Sequence, residues 1–208
     1  MVWIICIVGG FLSGSVMYCW MVPKLVLDKD ICMLSPDHNP GAANVFKYCG
    51  AFWGMICLFL DLLKGYLPVR LASQYVDTTH VLFALVLAAP VLGHAMAPFW
   101  HCGGGKCIAT AFGVMLGIVK NNAIGFLLAF LYIMFSTVIK IKPHRLRSII
   151  TFGLFGLGSF LFLGHRNEYS IAMGCVLISI IVILKHSKHF AETVEVFGIK
   201  EGEERRRV

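Results

Sequence analysis

Between two apolar runs the chain reads Gly93-His94, then Pro98-Phe99-Trp100-His101-Cys102, then Gly103-Gly104-Gly105-Lys106-Cys107, and ends in Ala109-Thr110. Three glycines let backbone N–H groups approach an anion closely, and a lysine beside them adds a point charge. Thr110, four residues on, supplies a hydroxyl. The chemistry this suits is phosphate binding. The Walker A pattern is different, since it needs a Gly, four residues, and then Gly-Lys-Ser/Thr opening a helix after a strand; here Cys107 follows the lysine. His94 stands close enough in sequence to serve such a site as a general base, or else to pack as a hydrogen-bonded histidine at the end of its run.

Three other places carry chemistry-bearing residues. The segment Ser35-Pro36-Asp37-His38-Asn39-Pro40-Gly41-Ala42-Ala43-Asn44 reads as a turn followed by a helix start. A helix start offers free N–H groups to an anion, and Asn39, Gly41 and Asn44 would line it, unless they only cap a plain turn. Asp61 and Lys64 in Phe59-Leu60-Asp61-Leu62-Leu63-Lys64-Gly65 are three apart and share one helical face. At membrane depth such a pair is either functional or a structural ion pair fixing helix packing. Lys185-His186 closes the last apolar run, where basic residues also follow from membrane topology. The sequence has no glycosidase-type carboxylate pair, no nucleophile elbow and no H-E-x-x-H zinc motif. No metal and no organic cofactor is implied.

The elements that position these residues belong to a membrane protein. The chain is 58% hydrophobic and 14% charged, against about 25% charged in ordinary soluble domains. Its mean hydropathy is +0.80. Uncharged runs occupy 2–22, 48–60, 81–93, 107–119, 121–139, 148–164 and 169–184. A bilayer crossing takes roughly 20 apolar residues. The second run reaches that only by taking in Asp61 and Lys64, and the fourth is short enough for a broken or re-entrant helix. An all-α integral membrane protein with about seven transmembrane helices, some short or broken, is predicted. Residues 1–190 form a single polytopic domain, and 191–208 a charged tail. The first run has no basic start and no small-residue cleavage site after it, so it is read as a retained span rather than a secretory signal.

Charge sets the orientation. With the N-terminus outside, the inner segments hold Lys24, Lys29, Lys47, Lys106, Lys140, Lys142, Arg145, Arg147, Lys185, Lys188, Lys200, Arg205, Arg206 and Arg207, which is 14 of the 18 Lys and Arg. Arg70, Lys120 and Arg166 fall outside. The positive-inside rule then puts the C-terminus and the glycine–lysine loop in the cytoplasm. The net charge of +7 is thus a topology signal and an attraction to anionic lipid, not a sign of nucleic-acid binding. Eight cysteines (6, 19, 32, 49, 57, 102, 107 and 175) form no C-x-x-C pair and read as small apolar packing residues, with Cys102 and Cys107 flanking the loop.

Taken together, these motifs resemble the bacterial acyl-phosphate-dependent glycerol-3-phosphate acyltransferases, the PlsY-type membrane enzymes. The likeness is carried, in order, by Ser13-Gly14-Ser15, Asn39-Pro40-Gly41-Ala42-Ala43-Asn44, Phe59-Leu60-Asp61-Leu62-Leu63-Lys64-Gly65, and the block from Gly93-His94 through Gly104-Gly105-Lys106 to Ala109-Thr110. The chain departs from the family pattern at Asp37, where the family has serine, and at Ala43, where it has threonine. Met33 stands in place of an arginine, Gly103 of a basic residue, Cys107 of a glycine and His189 of an asparagine. It is similar to a divergent member. The resemblance implies transfer of a fatty acyl group from acyl phosphate to glycerol 3-phosphate, giving lysophosphatidic acid and phosphate, in phospholipid biosynthesis at the bacterial inner membrane. It implies phosphate binding by Asn39, Gly41, Asn44, Lys64, Gly103, Gly104, Gly105, Lys106, Thr110, Lys185 and His186. His94 is the candidate general base, Lys106 is catalytic as well as phosphate-binding, and Asp61 is structural or supporting. Two alternatives stay open on the residues alone, a small transporter of an anionic or phosphorylated solute and a catalytically inactive relative.

Overall fold

The computed structural model describes residues 1–100 and 103–187. The charged tail at 191–208, with His101, Cys102, Lys188 and His189, lies outside the described residues. Every regular element among the described residues is helical, and no strand occurs there. The helices are α1 (Val2–Ser15), α2 (Tyr18–Leu27), α3 (Ile31–Leu34), α4 (Ala42–Cys49), α5 (Ala51–Tyr75), α6 (Phe83–Met96), α7 (Ile108–Gly117), α8 (Gly125–Ile133, running on through a π-helical turn at Met134–Val138), α9 (His144–His165) and α10 (Tyr169–Ser187).

Apolar composition decides the long elements. α5, α9 and α10 are each long and apolar enough to cross a membrane, and α1 with α2 makes a fourth such unit, bent by 42° at the break between them. α6, α7 and α8 are apolar but shorter. The first run is therefore not one continuous helix. Its chain is interrupted at Val16-Met17, which frees carbonyls that an unbroken helix would satisfy. Lys64 Nζ donates to the Val16 carbonyl at 2.5 Å, and Trp100 Nε1 donates to that of Ser15 at 2.7 Å. A broken helix at membrane depth is tolerated where neighbouring groups answer its backbone in this way.

The helices close into a ring in the order α5, α7, α8, α9, α10, α6, α1 and back to α5, with α4 laid on α5. The α5–α7 contact is backbone to backbone. A Cβ on Gly113 would stand 2.0 Å from the Leu62 carbonyl oxygen, and one on Gly65 2.4 Å from that of Thr110. Small residues at such crossings let helices gain van der Waals contact where lipid gives no hydrophobic drive to associate. Phe83, Leu87, Val114, Ile118, Phe152, Phe155 and Ile178 fill the interior. Phe52, Met55 and Phe59 of α5, Phe130 of α8 and Leu157 and Leu161 of α9 face outward. An apolar interior under an apolar exterior is the burial pattern of a protein solvated by lipid.

The thiols of Cys19, Cys57, Cys107 and Cys175 are free and buried, as packing residues should be. Cys32 corrects that expectation, because it is disulfide-bonded.

Candidate active site

Residues from seven helices and the segments between them line one cavity of about 1420 Å³. Its polar end is built by Asp37, His38, Asn39, Gly41 and Asn44 before and in α4, by Gly103, Gly104 and Lys106 before α7, by His144 and Arg145 opening α9, and by Lys185 and His186 closing α10. Its other wall is apolar, with Leu58 and Leu62 of α5, Phe112, Met115 and Leu116 of α7, and Phe126 and Ala129 of α8. One space thus joins a cationic mouth to a greasy trough.

The mouth collects helix N-termini. Gly41 and Ala42 at the start of α4, Ile108 and Ala109 at the start of α7, and Pro143 with His144 at the start of α9 all border it. The first N–H groups of a helix have no intrahelical acceptor, and the helix dipole adds partial positive charge there. Three such ends around one cavity, with Lys106, Arg145 and Lys185 in its wall, make a field suited to anions.

The glycine–lysine loop owes its path to two contacts. Gly104 has φ +76°, and a Cβ there would stand 2.1 Å from the Ala95 carbonyl oxygen. Gly105 donates its N–H to the His94 carbonyl at 3.0 Å, and a Cβ on Gly105 would stand 2.1 Å from His94 Nε2. The loop therefore folds back onto the end of α6, and its backbone covers the His94 ring. His94 is buried yet borders the cavity. Its Nδ1 has no hydrogen-bond partner among the described residues. Lys185 Nζ donates to the carbonyls of Ala95 and Gly103, each at 3.0 Å, which ties α10 to this loop.

Lys106 Nζ reaches across the mouth to Asp37 Oδ2 at 2.7 Å. The other carboxylate oxygen accepts from Asn44 Nδ2 at 2.9 Å, and that amide also donates to the Asn39 carbonyl at 2.8 Å. Partial burial alone would raise the Asp37 pKa; the hydrogen bonds from Lys106 and Asn44 outweigh it and hold the carboxyl below the ordinary value. The aspartate that departs from the family pattern is thus fitted into the site as the partner of its lysine.

Three expected phosphate ligands stand behind the wall instead of on it. Lys64 pairs with Asp61 at 2.9 Å, both side chains almost wholly buried, and its remaining reach goes to the Val16 carbonyl. Asp61 does border the cavity and also accepts from Cys19 Sγ at 3.1 Å. Thr110 is fully buried on α7, because its turn is the one pressed against Gly65. Gly105 packs its backbone against the His94 ring, as described. Asn39, Gly41, Asn44, Gly103, Gly104, Lys106, Lys185, His186 and His94 are brought together.

Sequence reasoning passed over one cluster. Arg145 lines the cavity and donates from Nε to the His186 carbonyl and from Nη2 to that of Ser187 at 2.9 Å. The His144 ring stacks on that of His186 with centroids 6.2 Å apart, and Tyr132 Oη lies 3.5 Å from His144 Nε2. His186 Nδ1 donates to the Val182 carbonyl at 2.8 Å, which leaves Nε2 for the cavity side.

Comparison with known proteins decides the family. The family model described as glycerol-3-phosphate acyltransferase matches residues 4–195. The chain belongs to the glycerol-3-phosphate acyltransferase family. Among proteins named glycerol-3-phosphate acyltransferase, that of Thermotoga petrophila is 30% identical over 187 residues, covering 90% of each chain. That of Leptospira borgpetersenii is 31% identical over 205 residues, 95% of this chain and 92% of the relative. Two crystal structures of PlsY, an integral membrane glycerol 3-phosphate acyltransferase, share the fold of this chain. The glycerol 3-phosphate form superposes with a TM-score of 0.75 at 24% identity, covering 89% of this chain and 88% of that one. The lysophosphatidic acid form gives 0.73 at 23%, covering 90% and 89%.

Proposed function

We propose that this PlsY-type protein transfers a fatty acyl group from acyl phosphate to glycerol 3-phosphate, at the cytoplasmic face of a bacterial inner membrane, giving lysophosphatidic acid and inorganic phosphate. The observation that carries this reading is the single cavity with three helix starts and three cations at one end and an apolar trough at the other. Both substrates bring phosphate and one brings a long acyl chain, which matches the two ends. The relatives' names supply the acceptor class.

In this reading the chain crosses the bilayer seven times, through the α1–α2 pair, α5, α6, α7, α8, α9 and α10. The N-terminus is outside, residues 1–190 are one domain, and 191–208 form a cytoplasmic tail. The short α6, α7 and α8 are completed by irregular segments that neighbouring helices and the cavity shield from lipid. Asp37, Lys106, Arg145 and Lys185 then share the cytoplasmic side.

Two phosphates repel each other, so the site's first task is to hold both. Lys106, the amides of Gly103 and Gly104 and the N-terminus of α7 hold one. Asn39, Gly41, Asn44 and the start of α4 help hold the other, with Lys185 and His186 at the rim. Lys64 and Asp61 keep α5 and the broken α1–α2 segment in register. The acceptor hydroxyl oxygen attacks the acyl carbonyl carbon, and the bond from that carbon to the phosphate oxygen breaks. The hydroxyl proton passes to His94, and inorganic phosphate leaves as its own good leaving group. An acyl phosphate is already activated, so positioning and charge stabilisation by preorganised donors supply most of the barrier reduction.

The test supplies purified protein with labelled glycerol 3-phosphate and, in separate reactions, palmitoyl phosphate, a palmitoyl thioester of acyl carrier protein, or palmitoyl coenzyme A. Labelled lysophosphatidic acid from the acyl phosphate alone is expected. Product from a thioester but none from acyl phosphate would overturn the donor assignment.

A further inference from the structure

A carboxylate inside a phosphate cradle needs a reason. Asp37 and Lys106 are 69 positions apart in the chain and meet across the mouth at 2.7 Å. Their side chains remain 42% and 35% exposed, so both present polar atoms to the cavity they line. Asn44, whose turn opens α4, fixes the second oxygen of Asp37. The carboxylate is thus anchored to one wall, while Lys106 comes from the loop on the opposite one.

We infer that Asp37 is a built-in competitor for phosphate: it occupies the Lys106 ammonium when the site is empty, yields it to a phosphate ligand, and takes it back as phosphate departs. The inference rests on the reading of this cavity as a phosphate site.

A phosphate ester carries about −1.5 to −2 at neutral pH and can also accept from the N–H groups that start α7, which the carboxylate on the α4 side does not engage. It therefore displaces Asp37, but at a cost. A partly exposed ion pair is worth about 0.2–1 kcal/mol, so the competition weakens phosphate binding by roughly 1.4- to 5-fold. The same competition hastens loss of inorganic phosphate after each turnover. Asp37 thereby sets how tightly this member of the family retains phosphate. A purely structural Asp37–Lys106 tether predicts the opposite sign, since its removal would loosen the loop and weaken binding.

The experiment measures equilibrium binding of inorganic phosphate and of glycerol 3-phosphate, at fixed ionic strength, to purified wild type, Asp37→Asn, Asp37→Ser, Asp37→Glu and Lys106→Ala. Asp37→Asn keeps the size of the side chain and its acceptor for Asn44 while removing the charge. Both neutral variants are expected to bind inorganic phosphate roughly 1.4- to 5-fold more tightly. Asp37→Glu is expected to show no tightening, and Lys106→Ala to bind more weakly than wild type. Neutral variants that bind phosphate equally or more weakly would overturn the inference. Agreement of the two neutral substitutions, with thermal unfolding followed for each, separates loss of charge from loss of fold. Tightening for inorganic phosphate in a protein that does not bind glycerol 3-phosphate would sink the acyltransferase reading and leave this inference standing. A wild type that binds neither would end both.

Discussion

His94 is placed by contact with backbone rather than by a hydrogen bond, since Gly105 lies against Nε2 and Nδ1 is unpartnered among the described residues. If it accepts the acceptor's proton, His94→Ala should lower kcat by about 10²–10⁴. Gly105→Ala should fall in the same direction, because its Cβ would stand 2.1 Å from Nε2 and displace the ring. Kinetics of the two variants side by side check this, and full activity in Gly105→Ala would remove His94 from the chemistry. Asp37 gives a pH prediction with a definite sign. Its carboxyl is held below its ordinary value by Lys106 and Asn44, against the opposing effect of partial burial. The charge, and the stability its ion pair adds, is present above the unfolded value of about 3.9 and lost only as pH falls through the lower folded value. The ratio of phosphate affinities between Asp37→Asn and wild type should therefore stay constant from pH 5 to 8. At this scale the glycine–lysine loop was legible from its residues. Arg145 and His144 were not, because a basic residue beside a span satisfies the positive-inside rule whether or not it also faces a cavity.

At the scale of elements, the Asp61–Lys64 pair connects α5 to the break between α1 and α2. Lys64 neutralises Asp61 and also satisfies the Val16 carbonyl. Removing one member leaves a buried, uncompensated charge, at a cost of about 3–5 kcal/mol. Asp61→Leu and Lys64→Met should each lower the yield of folded protein more than the double substitution does, as read by thermal unfolding in detergent. A double variant that is worse than either single one would mean that the charges do not act as a pair. The i, i+3 spacing made this pair visible in sequence. The break at Val16-Met17 was not, for the run through residues 2–22 is uniformly apolar and the partners that answer its free carbonyls come from α5 and from the loop after α6.

Over the whole molecule, the polar ends of several helices are gathered on one side and apolar side chains cover the exterior. Seven crossings require the termini to lie on opposite sides. Reporters fused before residue 1 and after residue 208 should read outside and cytoplasm, respectively, and two reporters on the same side would show an even number of crossings. Composition alone made the membrane class legible, and spacing made the motifs legible. Their convergence on one cavity was not, because nothing local in Asp37 signals a lysine 69 positions on. That depends on how the ring of helices closes.

The central claim is that acyl transfer takes place in this cavity with Lys106 holding phosphate. The most direct measurement follows labelled lysophosphatidic acid formed by purified wild type and by Lys106→Ala from palmitoyl phosphate and labelled glycerol 3-phosphate. The account predicts product from wild type and a loss of at least about 10²-fold in the variant, of the size seen when a charge-stabilising donor is removed. Full activity in a correctly folded Lys106→Ala protein would contradict it.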